Sequence, residues 1–419
     1  MSLTKQAKLD NFCFFINGLI NNFVYVVFLS AALDLVGDKL PKASVLIADI
    51  LPAFLVKLTV PLYMHKVRYH YRITFVILCS IFSLYLVAFS TNLQFQFLGI
   101  ILASASSGLG EVTFLAMATF YKTNVFHYWA SGTGAAGLVG SFIYLAFSTW
   151  FQFSTKVTMC LCSILPMLQL LAYFKLLSHP FVNFEMNRNG GFQPLIAGGV
   201  NSNEETNNQG IINGVNNNEE AGSNNPVIRA EHYDFKNKVK HVLNLLPEYM
   251  IPLFLVFFLE YTINQGLAPN LLFPVEETFF LKLRDHYVYY QFFYQLGVFI
   301  SRSSSTLFPI SQLYYLVFAQ FLTFLILLFI SLHKIPSNIY LNFFLMSFEG
   351  LFGGATYANA FTKLNNELEP HLTEFSMGIA SVSDTLGITV AALVSYFLEP
   401  IICNYQFSIG ILLCKSIAE

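Results

Sequence analysis

Residues 201–225 read NSNEETNNQGIINGVNNNEEAGSNN. The flanks on both sides are almost continuously apolar, so this Asn-rich stretch, with its Gly residues and the acidic pairs Glu204, Glu205 and Glu219, Glu220, is the boundary on which the fold turns. The polar insert extends from about Asn183 to Glu231, and its composition cannot bury enough apolar surface to order itself. Residues 183–240 are therefore expected to be a disordered linker between an N-terminal unit, 1–182, and a C-terminal unit, 241–419.

Outward from the linker, apolar runs bounded by charge or turn residues fall at Phe12–Leu33, Ala43–Met64, Ile73–Phe89, Leu93–Tyr121, Phe126–Trp150 and Val157–Leu177 on one side. On the other they fall at Tyr249–Pro269, Tyr287–Ser301, Ser311–Leu332, Ile339–Phe361 and Phe375–Leu398. Most approach the roughly 20 residues that a helix needs to cross the hydrocarbon core. The segment Ile401–Cys414 is apolar but short, and is read as an interfacial or re-entrant helix or as a poor twelfth span. The first run follows Lys5 and Lys8 like a signal peptide, but it is too long and is interrupted by Asn17, Asn21 and Asn22, so it is read as an uncleaved span. The expected fold is an all-α polytopic membrane protein of the major facilitator plan, two helical halves with 11 spans, or 12 if 401–414 crosses.

Composition agrees. Hydrophobic residues are 55% and charged residues 11% of the 419, against about 45–50% and about 25% in soluble domains. Mean hydropathy is +0.57. A soluble two-domain enzyme is excluded, and a net charge of −2 leaves no basic field for nucleic acid. The six cysteines lie in apolar stretches, where a cysteine behaves as a small hydrophobe, and no disulfide framework or zinc spacing is visible. With the N-terminus in the cytosol, basic loop residues concentrate on the cytosolic side by about two to one, which also puts the linker there.

Ionisable groups inside spans cost about 2.5–3.5 kcal/mol at the helix centre and are functional candidates by default. Glu111 follows the small-residue run ASASSGLG and reads either as an internal hydrogen-bond anchor or as a proton or substrate site. In WASGTGAAGLVG, Trp129–Gly140, the glycines suit helix packing, and Ser131 and Thr133 are candidate cavity liners. In LEYTINQG, Glu260 with Asn264 and Tyr261 with Gln265 fall at i, i+4, a polar stripe suited to a water-filled cavity. Gln291 and Gln295 repeat that spacing, while Arg302, at the end of its span, is read first as snorkelling to the interface. Glu349 precedes Gly350, Gly353 and Gly354, which suggests a bent or broken span exposing backbone carbonyls. Asp384 sits in a girdle with Ser381, Ser383 and Thr385, and Asn17, Asn21 and Tyr25 line one face of the first span. Asp49 and Lys57, eight residues apart, are too distant to pair on one helix, so each needs a partner elsewhere or a place near the interface. Carboxyls in both halves suit coupled proton movement, because a carboxyl removed from water binds a proton more readily. No nucleophile and base set, metal cluster or nucleotide motif stands out, so neither an enzyme nor a cofactor is expected.

Taken together, GLINNFVYVVFLSAALDLV (18–36), WASGTGAAGLVGSF (129–142), LEYTINQGL (259–267), YQLGVFISRSS (294–304), FEGLFGGATYANAF (348–361) and EFSMGIASVSDTLGI (374–388) resemble the battenin family, the lysosomal or vacuolar membrane proteins named for Batten disease. The resemblance runs in order over nearly the whole chain. It implies a major-facilitator-like protein of the vacuolar membrane, linked to organelle pH homeostasis and to basic amino acids or glycerophosphodiesters. It places Asn21, Asn22, Ser131, Gly132, Gly134, Glu260, Asn264, Gln265, Arg302, Glu349 and Asp384 at matching motif positions. Leu195–Ile196 resembles the family's sorting signal, but Gly191 stands where an acidic residue is expected. The ending CKSIAE lacks the prenylation box of animal members.

The expectation is thus a vacuolar transporter embedded in membrane lipid, moving a small polar solute with protons. The candidate pathway residues are Glu111, Glu260, Asn264, Gln265, Gln295, Glu349, Asp384, Asn21, Ser131, Thr133 and Arg302. The rival reading is a membrane scaffold or trafficking regulator that recruits partners through the cytosolic linker.

Overall fold

The computed structural model describes residues 3–36, 40–63, 67–118, 120–121, 125–179, 235–305, 307–333, 338–368, 370–411 and 413–414. The Asn-rich stretch and Leu195–Ile196 lie outside them. Every regular element among the described residues is helical, as a chain that must satisfy its backbone within lipid requires.

The N-terminal half holds α1 (Leu3–Ser30), a short α2 (Ala32–Val36), α3 (Ala43–Tyr63), α4 (Tyr69–Phe89), α5 (Leu93–Ala118) and α6 (Val125–Leu145), which widens into a π-turn at Ala146–Trp150. Its last crossing is a broken rod, α7 (Thr155–Cys162) and α8 (Ile164–Leu171), started by Ser154, whose hydroxyl accepts from the Val157 amide. The C-terminal half opens with α9 (Phe235–Leu245), which runs through a π-turn into α10 (Ile251–Thr262) and a second π-turn, Ile263–Leu267. Then come α11 (Asp285–Ser304), α12 (Leu313–His333), α13 (Ile339–Glu367) and α14 (Pro370–Ser408). Nine helical segments among the described residues are long and apolar enough to cross a membrane, and α11 and α13 are not among them. Those two pack on each other and carry Gln291, Gln295, Arg302 and Glu349, so the same polar side chains that lower their hydropathy face protein instead of lipid.

The structure corrects three expectations. Residues 401–408 are not a separate element: α14 continues through Pro400 to Ser408. Cys403 and Cys414 form a disulfide, which their positions in apolar sequence concealed; the chain beyond α14 turns back and sets one beside the other. The glycines after Glu349 do not break α13, which is continuous over Ile339–Glu367. They serve close approach: a Cβ on Gly350 would stand 2.0 Å from the Tyr294 carbonyl oxygen, and one on Gly353 2.0 Å from Glu260 Oε2.

The halves meet along two seams, α6 against α11 and α3 against α14. Small residues make the α6–α11 seam and the packing beneath it. Gly137 leaves room for the Gln295 amide and Gly134 for Arg302, while Gly132 lets α6 sit on the Phe15 carbonyl of α1. The small-residue run of α5 works the same way, Gly108 against Ala53 of α3 and Gly110 against the Asn21 side chain.

Candidate functional site

Between the halves lies a cavity of about 80 Å³. That holds several waters and falls short of the roughly 300 Å³ of a drug-sized ligand pocket. Its wall is charged with both signs. Asp49 and Lys57 come from α3, Glu111 from α5, Arg302 from α11 and Asp384 from α14, with the phenols of Tyr25, Tyr261 and Tyr357 between them.

The centre of this wall is an ion triad. Lys57 Nζ is 2.8 Å from Glu111 Oε2 and 3.8 Å from Asp384 Oδ1, and donates to Thr385 Oγ1 at 2.9 Å. All three charged residues are buried, so each carboxylate relies on the one ammonium. Asp49 lies eight residues before Lys57, and both of its oxygens are buried with no hydrogen-bond partner among the described residues. Sequence reasoning named Asp49 and Lys57 but left them out of the candidate pathway. The signal was present, since a cation within a span is as costly as an anion; their partners, on α5 and α14, were not legible.

Arg302 does not snorkel. Its Nη1 donates to Thr133 Oγ1 at 2.8 Å, across the α6–α11 seam, and its guanidinium stacks 4.2 Å over the Tyr357 ring of α13. Ser131 bonds Ser303 across the same seam at 2.9 Å. Asn21 donates to the Ser107 carbonyl at 3.1 Å, and so ties α1 to α5 behind the cavity.

A second polar cluster lies inside the C-terminal half, off the cavity. Glu260 and Glu349 are 1% and 0% exposed. The Tyr294 hydroxyl donates to Glu260. Asn264 Nδ2 donates to Glu349 Oε1 at 2.7 Å and to the Glu260 carbonyl at 3.2 Å, and Gln291 donates to Asn264 Oδ1 at 2.9 Å. Gln265 pairs with Tyr287 at 3.1 Å. Asn264 and Gln265 stand in the π-turn after α10, a feature frequent at functional sites. Of the candidate pathway residues, the structure therefore brings Glu111, Asp384 and Arg302 to the cavity and gathers Glu260, Asn264 and Glu349 elsewhere. Gln265, Gln295, Asn21, Ser131 and Thr133 support helix contacts. The stripe on α10 is divided: Tyr261 faces the cavity, and Glu260 and Asn264 face α11 and α13.

At the end of the bundle where α1 finishes and α11 begins, two ion pairs clasp the halves. Arg284 Nη1 is 2.5 Å from Asp34 Oδ1, and Asp34 also accepts from the Tyr144 hydroxyl. Lys42 Nζ is 3.0 Å from Glu399 Oε1, and the Lys42 backbone amide donates to Oε2 of the same carboxylate at 2.9 Å. No group of three or more metal-ligating side chains occurs among the described residues.

Residues 12–405 match the family model described as CLN3 protein. Protein BTN1 of Yarrowia lipolytica is 41% identical over 97% of this chain and 98% of its own length. Protein BTN1 of Eremothecium gossypii is 40% identical over 95% and 96%, and protein btn-1 of Neurospora crassa 36% over 96% and 90%. Among solved structures, a bacterial homolog of the human lysosomal transporter Spinster, inward-facing and unoccupied, superposes with a TM-score of 0.59 over 100% of this chain and 92% of its own, at 11% identity. The major-facilitator-like fold is shared; that identity carries nothing finer.

Proposed function

Because the chain belongs to the CLN3 (battenin) family, we propose that it is a transporter of the vacuolar membrane that moves a polar solute through the cavity between its halves, with protons as the coupling ion. The observation that carries this reading is the Lys57, Glu111 and Asp384 triad. Three buried charges from three helices and both halves form the wall of a polar cavity, where apolar side chains would hold helices together at lower desolvation cost. The cavity is too small for a solute in this state, so binding requires the halves to part at one end.

Cationic and anionic side chains both line the wall, which suits a basic amino acid or a glycerophosphodiester. The test is uptake by vacuolar vesicles under an imposed pH gradient, with arginine and glycerophosphoinositol supplied separately and in competition. Gradient-dependent uptake of one, inhibited by an excess of its own class, is the expected result. Equal behaviour of vesicles with and without the protein for both solutes would leave the transporter reading without support and favour the scaffold. Of the expected linker, residues 235–240 are not disordered but helical within α9; the remainder, 183–234, is read as cytosolic, with the N-terminus on the same side.

A further inference from the structure

We propose that Asp49 and Glu260 are the two ends of one proton path, with the hydroxyls of Tyr25, Tyr261 and Tyr294 between them. The proposal rests on the transporter reading for its purpose, since a coupled carrier needs a route for the proton, but not for its evidence. Asp49 is 0% exposed, lines the cavity, and has no hydrogen-bond partner for either oxygen among the described residues. Glu260 accepts from Tyr294 through Oε1, while Oε2 is buried without a partner among the described residues. Two buried carboxyls with unbonded oxygens are thus set in neighbouring compartments, one against the cavity and one inside the C-terminal half.

The charged groups around each end leave both carboxyls without a cation bonded to them. Facing the cavity with Asp49 are Lys57 on its own helix, Glu111 from α5, Arg302 from α11 and Asp384 from α14. Tyr25, Tyr261 and Tyr357 face it from α1, α10 and α13. Lys57 is engaged by Glu111, Asp384 and Thr385, and Arg302 by Thr133 and the Tyr357 ring. Glu260 is faced by Tyr294 from α11 and by Glu349 from α13, with the Arg302 and Asp384 charges beyond.

The hydroxyls between them are ordered for transfer. Tyr25 OH donates to Tyr261 OH at 2.9 Å, Tyr261 follows Glu260 on α10, and Tyr294 OH donates to Oε1 of that Glu260; transfer from Tyr261 to Tyr294 is the step the proposal adds. A proton leaving Asp49 passes to the oxygen of Tyr25, which lines the same cavity, as Tyr25 releases its own proton to Tyr261. Tyr261 in turn releases one to Tyr294, and Tyr294 one to Glu260. Every phenol ends neutral, Asp49 ends ionised and Glu260 protonated. The Tyr25 to Tyr261 step joins α1 to α10, one from each half, so parting of the halves interrupts the path. That makes proton transfer depend on the conformational state, as coupling requires.

The experiment is infrared difference spectroscopy of the full chain in liposomes, following carboxyl carbonyl stretches during pH titration and after a pH jump, with no solute added. The expected results are loss of one titrating carbonyl band in Asp49→Asn, its return at a shifted position in Asp49→Glu, and loss of a different band in Glu260→Gln. In Tyr261→Phe and Tyr25→Phe both bands persist, but the Glu260 band appears about tenfold more slowly or worse, in line with losing a positioned proton carrier. Unchanged titration in Asp49→Asn removes Asp49 from the path, and an unchanged rate in both tyrosine variants removes the hydroxyl chain. Since no solute enters, a failure to find transport of the solutes tested above leaves this result standing, and the reverse also holds.

Discussion

Lys57 of α3 meets Glu111 of α5 at 2.8 Å within the cavity wall, and the same ammonium is 3.8 Å from Asp384 of α14. One cation therefore serves two carboxylates that belong to different halves of the molecule, and its removal has consequences for both.

Lys57→Met leaves Glu111 and Asp384 buried and uncompensated, and should cost about 3–5 kcal/mol of stability. Adding Glu111→Gln to that background should recover a substantial part, because the remaining carboxylate loses its like-charged neighbour. Thermal unfolding of the purified protein in detergent checks this; additive losses in the double variant would show that the three groups do not act as one unit.

Gly350→Ala should fold poorly, since the new Cβ would stand 2.0 Å from the Tyr294 carbonyl oxygen, backbone of a packed helix that cannot swing aside, and overpacking of this kind costs about 1–3 kcal/mol. Gly378→Ala is the control, because a Cβ there meets nothing within 4 Å. The ratio of folded to aggregated protein on size-exclusion chromatography distinguishes the two.

The clasp formed by Asp34 with Arg284 and Lys42 with Glu399 should hold its end of the bundle shut. In a background with the four free cysteines replaced and Ser107→Cys introduced at the cavity wall, adding Arg284→Ala and Lys42→Ala should raise the labelling rate by a water-soluble thiol reagent severalfold. An unchanged rate would mean that other contacts close this end.

Glu260→Gln and Glu349→Gln keep shape and hydrogen-bonding capacity while removing a titratable group. Both variants should reach the vacuole and lose pH-dependent flux, because an amide cannot take up and release the proton. Flux that stays normal at every pH would make the two carboxyls helix-to-helix anchors.

Where the described N-terminal half ends, the Ser178 amide and hydroxyl donate to Asp10 at 2.9 and 2.8 Å. Burial, with the nearby His70, holds the adjoining His179 below its ordinary 6.5. The folded state therefore binds fewer protons here than the unfolded chain does, so the contribution of this junction is complete above about 6.5 and falls as the pH drops through that value towards the folded one. Hydrogen exchange at Ser178, corrected for its intrinsic pH dependence, should accelerate over that interval, and His179→Asn should flatten the response.

The sequence by itself determined the spans, because a run of apolar residues of membrane length has no other stable disposition and its ends are set by charge and turn residues. α3, α5 and α12 begin or end within two or three residues of where hydropathy put them. It also determined which polar residues lie within those spans, and the battenin motifs followed from the same stretches. What it could not determine was the pairing. Helical periodicity states which side chains share a face, but not which helix that face will meet. Thus Glu260 and Asn264 were legible as neighbours, whereas the turn of α10 that points them at α11 and α13 and leaves Tyr261 to the cavity was not. Lys57 and Thr385 are 328 positions apart, and only the meeting of α3 with α14 makes an isolated buried ammonium the centre of a site. The glycines of α13 show the same limit from the other side: read alone they weaken a helix, but packed against Tyr294 and Glu260 they are the positions where any side chain would keep the helices apart.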